Sequence, residues 1–80
     1  MFSVYILEND DGRFYIGSTN NLKIRIAEHN DRSRNGWAAR RGPWRLVHNE
    51  KFAIRADAMR HERYLKSLKS KSAILELFKK

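Results

Sequence analysis

The sequence predicts a small α/β (α+β) domain in which a mostly antiparallel three-stranded sheet is flanked by helices, in the order β-β-α-β-α-α. Two observations support this fold class. Apolar segments rich in β-branched and aromatic residues are typical of strands, and other segments repeat apolar residues at the three-to-four residue spacing of a helix. Because the chain has 80 residues, we expect one domain spanning residues 1–80.

The first two strands are predicted to form a hairpin. Residues 2–8 are mostly apolar, residues 9–12 are a turn signal, and residues 13–17 are typical of a returning strand. Pairs whose numbers sum to 20 would set Tyr5 opposite Tyr15, and any even sum places both phenols on one face, since side chains alternate along a strand. Gly17 is predicted to end the second strand, where its missing side chain lets another backbone or a substrate come close.

A helix is predicted over residues 21–30, with an N-cap among Thr19, Asn20 and Asn21. Its inner face carries Leu22, Ile26 and His29. Residues 44–52 are predicted to form the third strand.

Two further helices follow. The first begins at Ile54 or Arg55 and runs to about Ser67, and the second spans about 71–79. The apolar positions of the first are Ala58, Met59 and Leu65, and those of the second are Ala73, Ile74, Leu77 and Phe78.

Charge gives the first indication of function. The chain has 17 Lys and Arg against nine Asp and Glu, a formal charge of +8. A field of this strength on a small body favours nucleic acid as a partner, although a solubilising surface would have the same composition. No cysteine is present, which excludes disulfides and thiolate metal sites. The N-terminal apolar stretch is short for a signal peptide, and no segment reaches the length of a membrane span, so we expect a cytoplasmic protein without an obligate protein partner.

Glu62 is the most informative acidic residue. Ala58, Met59, Glu62 and Leu65 stand at i, i+1, i+4 and i+7, so the carboxylate is predicted to lie on the packed face of its helix. A carboxylate there needs a partner, because an unpaired charge away from water is costly. The sequence leaves two partners open, an arginine in an ion pair or a divalent metal ion.

Arg25 and His29 stand four residues apart on the first helix and are therefore neighbours. Arg25 can bind a phosphate through two parallel hydrogen bonds, and His29 can donate to an oxygen or carry a proton near neutral pH. The structural alternatives are an arginine lying along apolar surface and a packed histidine. Similarly, Tyr5 and Tyr15 are packing residues or, near a metal and an arginine, phenols that hold an attacking water.

An arginine-rich segment precedes the third strand and is predicted to contact nucleic acid. Arginine binds phosphate and tryptophan stacks on unpaired bases. Trp44 is interpreted as a core aromatic residue. No element for reading bases is evident, which indicates weak, structure-guided binding. The predicted contacts are Arg32, Arg34, Trp37, Arg40 and Arg41.

Taken together, these residues resemble the GIY-YIG nuclease family. Its first motif corresponds to Val4-Tyr5-Ile6 and its second to Tyr15-Ile16-Gly17. Residues 15–30 are similar to the family's segment of YIG, Asn-Leu, a catalytic arginine, and a histidine or tyrosine one turn later. Residues 52–62 resemble the helix that supplies the metal-binding glutamate. The resemblance covers nearly the whole chain and is strongest with small members that contain little beyond the catalytic domain.

The resemblance implies metal-assisted hydrolysis of DNA, with RNA left open as a substrate. Glu62 would hold one divalent cation, Mg²⁺ or Mn²⁺, and Arg25 would stabilise charge on the scissile phosphate. Tyr5, Tyr15 or both would orient or deprotonate the attacking water. His29 would assist that step or contact phosphate. Relatives act in DNA repair, recombination and mobile elements.

Three departures from the family pattern bear on catalysis. Val4 replaces the glycine of the first motif, Ser18 stands where some members have a lysine, and no asparagine follows the helix of Glu62. The missing asparagine supports an alternative, a non-catalytic nucleic-acid-binding module that keeps the fold. A third hypothesis is a protein-interaction domain whose positive face meets an acidic partner.

Overall fold

The structure is a computed structural model, and it describes residues 1–31, 40–68 and 71–76. The predicted order β-β-α-β-α-α is confirmed in this part of the chain. The positions Leu77 and Phe78 of the third predicted helix lie outside the described residues. The elements are β1 (Phe2–Asn9), β2 (Phe14–Thr19), α1 (Leu22–His29), β3 (Trp44–Phe52), α2 (Arg55–Ser67) and α3 (Lys71–Glu76).

The three strands form an antiparallel sheet in the order β2-β1-β3. Paired residues of β1 and β2 sum to 22, so Tyr5 lies opposite Gly17 and Leu7 lies opposite Tyr15. The sum is even, and the two phenols therefore share a face as predicted, although they are not a directly opposed pair. The hairpin loop between these strands is held by Asn9. Its Oδ1 accepts hydrogen bonds from the N–H groups of Asp11 (3.1 Å) and Arg13 (2.8 Å).

Gly17 does not end β2, contrary to the prediction, because the strand continues to Thr19. The missing side chain still permits a close approach, and the approaching group is the Tyr5 phenol.

Each face of the sheet carries a separate apolar cluster. On one face, the buried residues are Val4, Ile6, Ala58, Leu65 and Ile74, which joins β1 to α2 and α3. On the opposite face, Tyr5, Leu7 and Trp44 are buried, and the partly buried residues packed against them are Tyr15, Leu22 and Ile26. The prediction that Trp44 is a core residue is confirmed. Helix α2 packs on the first face of the sheet, and α1 packs on the second.

The helix boundaries follow from local interactions. Asn21 is the N-cap of α1, and its side-chain oxygen accepts a hydrogen bond from the N–H of Ile24 at 3.2 Å. On α2, Ala58 is buried as predicted, but Met59 is 45% exposed, so its prediction as a core position is wrong. Met59 is about 100° further round the helix than Ala58, and the packed stripe passes through Glu62 instead. None of the described helices is both long and apolar enough to cross a lipid bilayer.

Candidate active site

Tyr5 lies at the centre of the candidate site. It is only 1% exposed and projects from the central strand β1 across Gly17 of β2. A Cβ atom on Gly17 would lie 2.5 Å from the Tyr5 hydroxyl oxygen and 2.7 Å from Cζ. The absence of a side chain at Gly17 thus allows the phenol to reach over β2, which is an edge strand.

The Tyr5 hydroxyl is hydrogen bonded to His29 Nε2 at 3.1 Å. Burial raises the pKa of Tyr5, more than the neighbouring Arg25 charge lowers it. Burial, together with Arg25, lowers the pKa of His29. At neutral pH the phenol is therefore protonated and the imidazole is neutral, so Tyr5 donates and His29 Nε2 accepts. The proton of Tyr5 is therefore directed at the His29 nitrogen, and both pKa shifts keep it on Tyr5 in the resting site.

Tyr15 packs beside this pair. Its ring is stacked on that of Tyr5, with centroids 6.5 Å apart and planes 15° apart. The Tyr15 and His29 ring centroids are 4.4 Å apart, and Trp44 meets Tyr15 edge-on at 5.9 Å. These contacts position three of the five predicted site residues in one aromatic cluster.

Arg25 connects the aromatic cluster to the surface. A hydrogen bond with the Tyr5 phenol raises the pKa of Arg25, outweighing the effect of burial. The same guanidinium forms an ion pair with Glu28 at 3.3 Å, and the Arg25 side chain is 45% exposed. Arg25 therefore acts on the Tyr5 phenol and remains accessible to an anion from solution.

Glu62 reaches the site from α2, on the opposite face of the sheet, and its side chain is 20% exposed. Its Oε1 accepts a hydrogen bond from Ser18 Oγ at 2.6 Å, and its Oε2 lies 2.7 Å from Lys66 Nζ. Burial alone would raise the pKa of Glu62, but the hydrogen bonds from Lys66 and Ser18 outweigh it, and the pKa is lowered. The carboxylate is ionised at neutral pH, and its charge contributes to raising the pKa of Tyr5.

Comparison with known proteins gives the class to which this arrangement belongs. The GIY-YIG catalytic domain matches residues 1–74. This chain belongs to the GIY-YIG family. GIY-YIG domains are nuclease domains, and the resemblance seen in the sequence motifs is therefore confirmed.

Similar GIY-YIG proteins are found in bacteria and archaea. A UPF0213 protein of Halobacterium salinarum is 38% identical over 68 residues, covering 85% of this chain and 88% of that protein. A UPF0213 protein of Clostridium perfringens is 42% identical over 65 residues, covering 81% and 70% of the two chains. The solution NMR structure of a UPF0213 protein from Bacillus halodurans has a TM-score of 0.62 and 37% identity, covering 98% of this chain and 83% of that one. These likenesses confirm the α+β fold.

Glu62 is the carboxylate predicted to hold a divalent cation in the GIY-YIG site. In the described residues, no group of three or more acidic or histidine side chains could hold a metal ion. Mg²⁺ is commonly bound through one or two carboxylates, with water and phosphate oxygens completing its shell. A single protein carboxylate such as that of Glu62 is therefore compatible with Mg²⁺ binding. A cation would have to replace the Lys66 ammonium at Oε2. Lys66 is 55% exposed and on a long side chain, so it can move into solvent.

The predicted nucleic-acid contacts are only partly within the described residues. Arg32, Arg34 and Trp37 lie outside them. Arg40 is exposed, whereas Arg41 is half-buried and its backbone oxygen accepts a hydrogen bond from Asn9 at 3.0 Å. The described arginines of this segment thus lie near the hairpin loop.

Sequence reasoning missed three residues around the GIY-YIG site. Ser18 and Lys66 contact the Glu62 carboxylate, and Arg55 lines a cleft that adjoins the site. The i, i+4 spacing of Glu62 and Lys66 was a signal for their ion pair. The contact between Ser18 and Glu62 joins positions 44 residues apart, and local patterns carry no information about it.

Proposed function

We propose that this chain is a divalent-metal-dependent endonuclease that hydrolyses phosphodiester bonds in DNA. One observation carries the proposal: the Tyr5 hydroxyl is hydrogen bonded to the neutral His29, and the charges of Arg25 and, more weakly, Glu62 act on its pKa. A proton acceptor and a guanidinium suited to phosphate therefore lie beside one phenol, and an ionised carboxylate acts on it from the opposite face of the sheet. These are the groups that phosphodiester hydrolysis needs.

Arg25 would bind the scissile phosphate. Its guanidinium is exposed on one side and offers paired donors to two phosphate oxygens. Charge builds up on those oxygens as the reaction proceeds, so an arginine there stabilises the transition state more than the ground state.

Tyr5 and His29 would accept the proton of the attacking water. The hydroxyl oxygen of Tyr5 accepts a hydrogen bond from water while its own proton is donated to His29 Nε2. Moving the Tyr5 proton to His29 allows Tyr5 to take one from the water without a lasting phenolate. Tyr15, stacked on Tyr5 and near His29, keeps both rings in position and is a second candidate to orient the water.

Glu62 would hold one Mg²⁺ or Mn²⁺ ion, and Ser18 would fix the orientation of its carboxylate. A cation held there would supply positive charge that stabilises the charge developing on the phosphate. Because the site lies at the open edge of a small domain whose described residues include no evident base-reading element, we expect the substrate to be selected by DNA structure. The formal charge of +8 supports binding that weakens steeply with salt.

The test is a cleavage screen over duplex, nicked, flapped, branched and single-stranded DNA with Mg²⁺ or Mn²⁺. The parent is compared with Glu62→Gln and Arg25→Ala, and Arg63→Ala serves as the control, since Arg63 is exposed on the helix of Glu62. We expect the first two variants to bind DNA but to lose at least about 100-fold in cleavage rate, while the control cuts normally. Equal cutting by all four proteins would disprove the assigned site.

The alternative is a nucleic-acid-binding module without catalysis. The ion pair between Lys66 and Glu62 favours it, because that pair gives the carboxylate a structural partner. This alternative predicts salt-sensitive binding and no cleavage of any DNA in the screen. A cleavage product that depends on Glu62 would eliminate it.

A further inference from the structure

A cleft of about 340 Å³ adjoins the candidate active site. It lies between the end of β2, α1 and the start of α2, and Ser18 and Arg25 belong to both the cleft and the site. Its polar wall is formed by Ser18, Thr19, Asn20, Arg25 and Arg55. None of the described residues that line it is acidic. Two arginines, from α1 and α2, thus line one open space.

We propose that this cleft binds a second phosphate of the cleaved strand, held by Arg55, so that the substrate is gripped at two points. The inference rests on the proposed nuclease function and adds a binding subsite to it. Arg25 would hold the scissile phosphate, and Arg55 would hold another phosphate of the same strand.

Arg55 is suited to this role because its charge is not engaged elsewhere. Within the described chain, Arg25 pairs with Glu28 and Arg60 lies 3.5 Å from Asp57. Arg55 is exposed, and no hydrogen bond or ion pair joins it to another described residue. An exposed guanidinium in a cationic cleft binds phosphate through two parallel hydrogen bonds. Asn20 and Thr19 offer further polar groups on the facing wall.

The helix geometry predicts which phosphate Arg55 would contact. Arg55 and Glu62 are seven residues apart on α2, close to two full turns, so they project from the same side about 10 Å apart along the axis. Arg25, which is assigned the scissile phosphate, lines the same cleft as Arg55. Arg55 is therefore expected to contact a phosphate close to the scissile one on the same strand.

The experiment uses duplex DNA in which single phosphates are replaced by neutral methylphosphonates, one position at a time. Affinity is measured by fluorescence anisotropy in a Glu62→Gln background, which leaves the DNA uncut. Arg55→Ala is compared with Arg63→Ala, which removes the same charge from the same helix but outside the cleft. Circular dichroism verifies that both proteins fold.

We expect Arg55→Ala to weaken binding several-fold more than Arg63→Ala and to lower the salt slope by about one. One methylphosphonate position should weaken binding of the Glu62→Gln parent but not of its Arg55→Ala derivative. In cleavage by the proteins with Glu62 intact, Arg55→Ala should raise KM and leave kcat unchanged.

Equal effects of Arg55→Ala and Arg63→Ala, or a methylphosphonate profile that Arg55→Ala does not alter, would overturn the subsite. The nuclease proposal fails separately. If the parent cleaves no DNA but the methylphosphonate effect depends on Arg55, catalysis is disproved and the binding cleft stands.

Discussion

Replacing Gly17 by alanine tests the position of the Tyr5 phenol. The new Cβ would lie 2.5 Å from the Tyr5 hydroxyl oxygen, about 0.9 Å closer than the shortest ordinary contact of 3.4 Å. Tyr5 is 1% exposed, so it can move only by displacing packed neighbours. Overpacking of this kind costs about 1–3 kcal/mol, which lowers Tm by roughly 4–8 °C for each kcal/mol in a domain of this size.

The matched control is Gly42→Ala. A Cβ there has its nearest contact at 3.4 Å, with Trp44 Cδ1, so little has to move. Urea unfolding of the two variants and the parent should show a large loss for Gly17→Ala and a change within about 0.5 kcal/mol for Gly42→Ala. Cleavage by Gly17→Ala should also fall by about 100-fold, because an error near 1 Å in a reacting group has that effect. A Gly17→Ala protein as stable as the parent would refute the placement of Tyr5 across β2.

Three further predictions concern protonation and charge at the site. The pKa of His29 is lowered in the folded protein, so the free energy of unfolding should decline as pH falls below the ordinary histidine pKa of about 6.5. In urea unfolding between pH 7.5 and 5, His29→Gln should lose less stability than the parent, and equal losses in the two proteins would contradict this. Ser18→Ala should raise the pKa of Glu62 towards its ordinary value in a carboxyl NMR titration, whereas Ser18→Thr should keep the lowered pKa of the parent. An unchanged pKa in Ser18→Ala would exclude the hydrogen bond. Lys66→Met should reduce the Mg²⁺ concentration needed for half-maximal cleavage, because no ammonium competes for Glu62, and an increased requirement would argue against a metal at this carboxylate.

The hairpin shows how far the sequence could predict the site. Apolar patterning was sufficient to predict β1, β2 and the shared face of Tyr5 and Tyr15, because alternation along a strand is a local property. The register itself was not predictable, since it depends on how the Asn9 side chain holds the loop. For the same reason, the position of the phenol over Gly17 became evident only from the structure.

For Glu62, too, the sequence carried information about some of its contacts and not about others. Its location on the packed stripe of α2 was predicted from helical periodicity, whereas the ion pair with Lys66 was missed although their i, i+4 spacing indicated it. The hydrogen bond from Ser18 depends on how α2 packs against β2, which is a tertiary property. The exposure of Met59 was missed because periodicity indicates the direction of a packed face better than its width.

The central claim is that Glu62 holds the divalent cation of this GIY-YIG domain. Paramagnetic broadening by Mn²⁺ in ¹H–¹⁵N spectra tests it directly, with Glu50→Gln as a control because the Glu50 carboxylate contacts two histidines, His48 and His61. We predict that Mn²⁺ broadens the amide signals around Ser18 and Glu62 in the parent and in Glu50→Gln, and that Glu62→Gln abolishes the effect. Broadening centred on Glu50, or broadening at Ser18 that persists in Glu62→Gln, would contradict the claim.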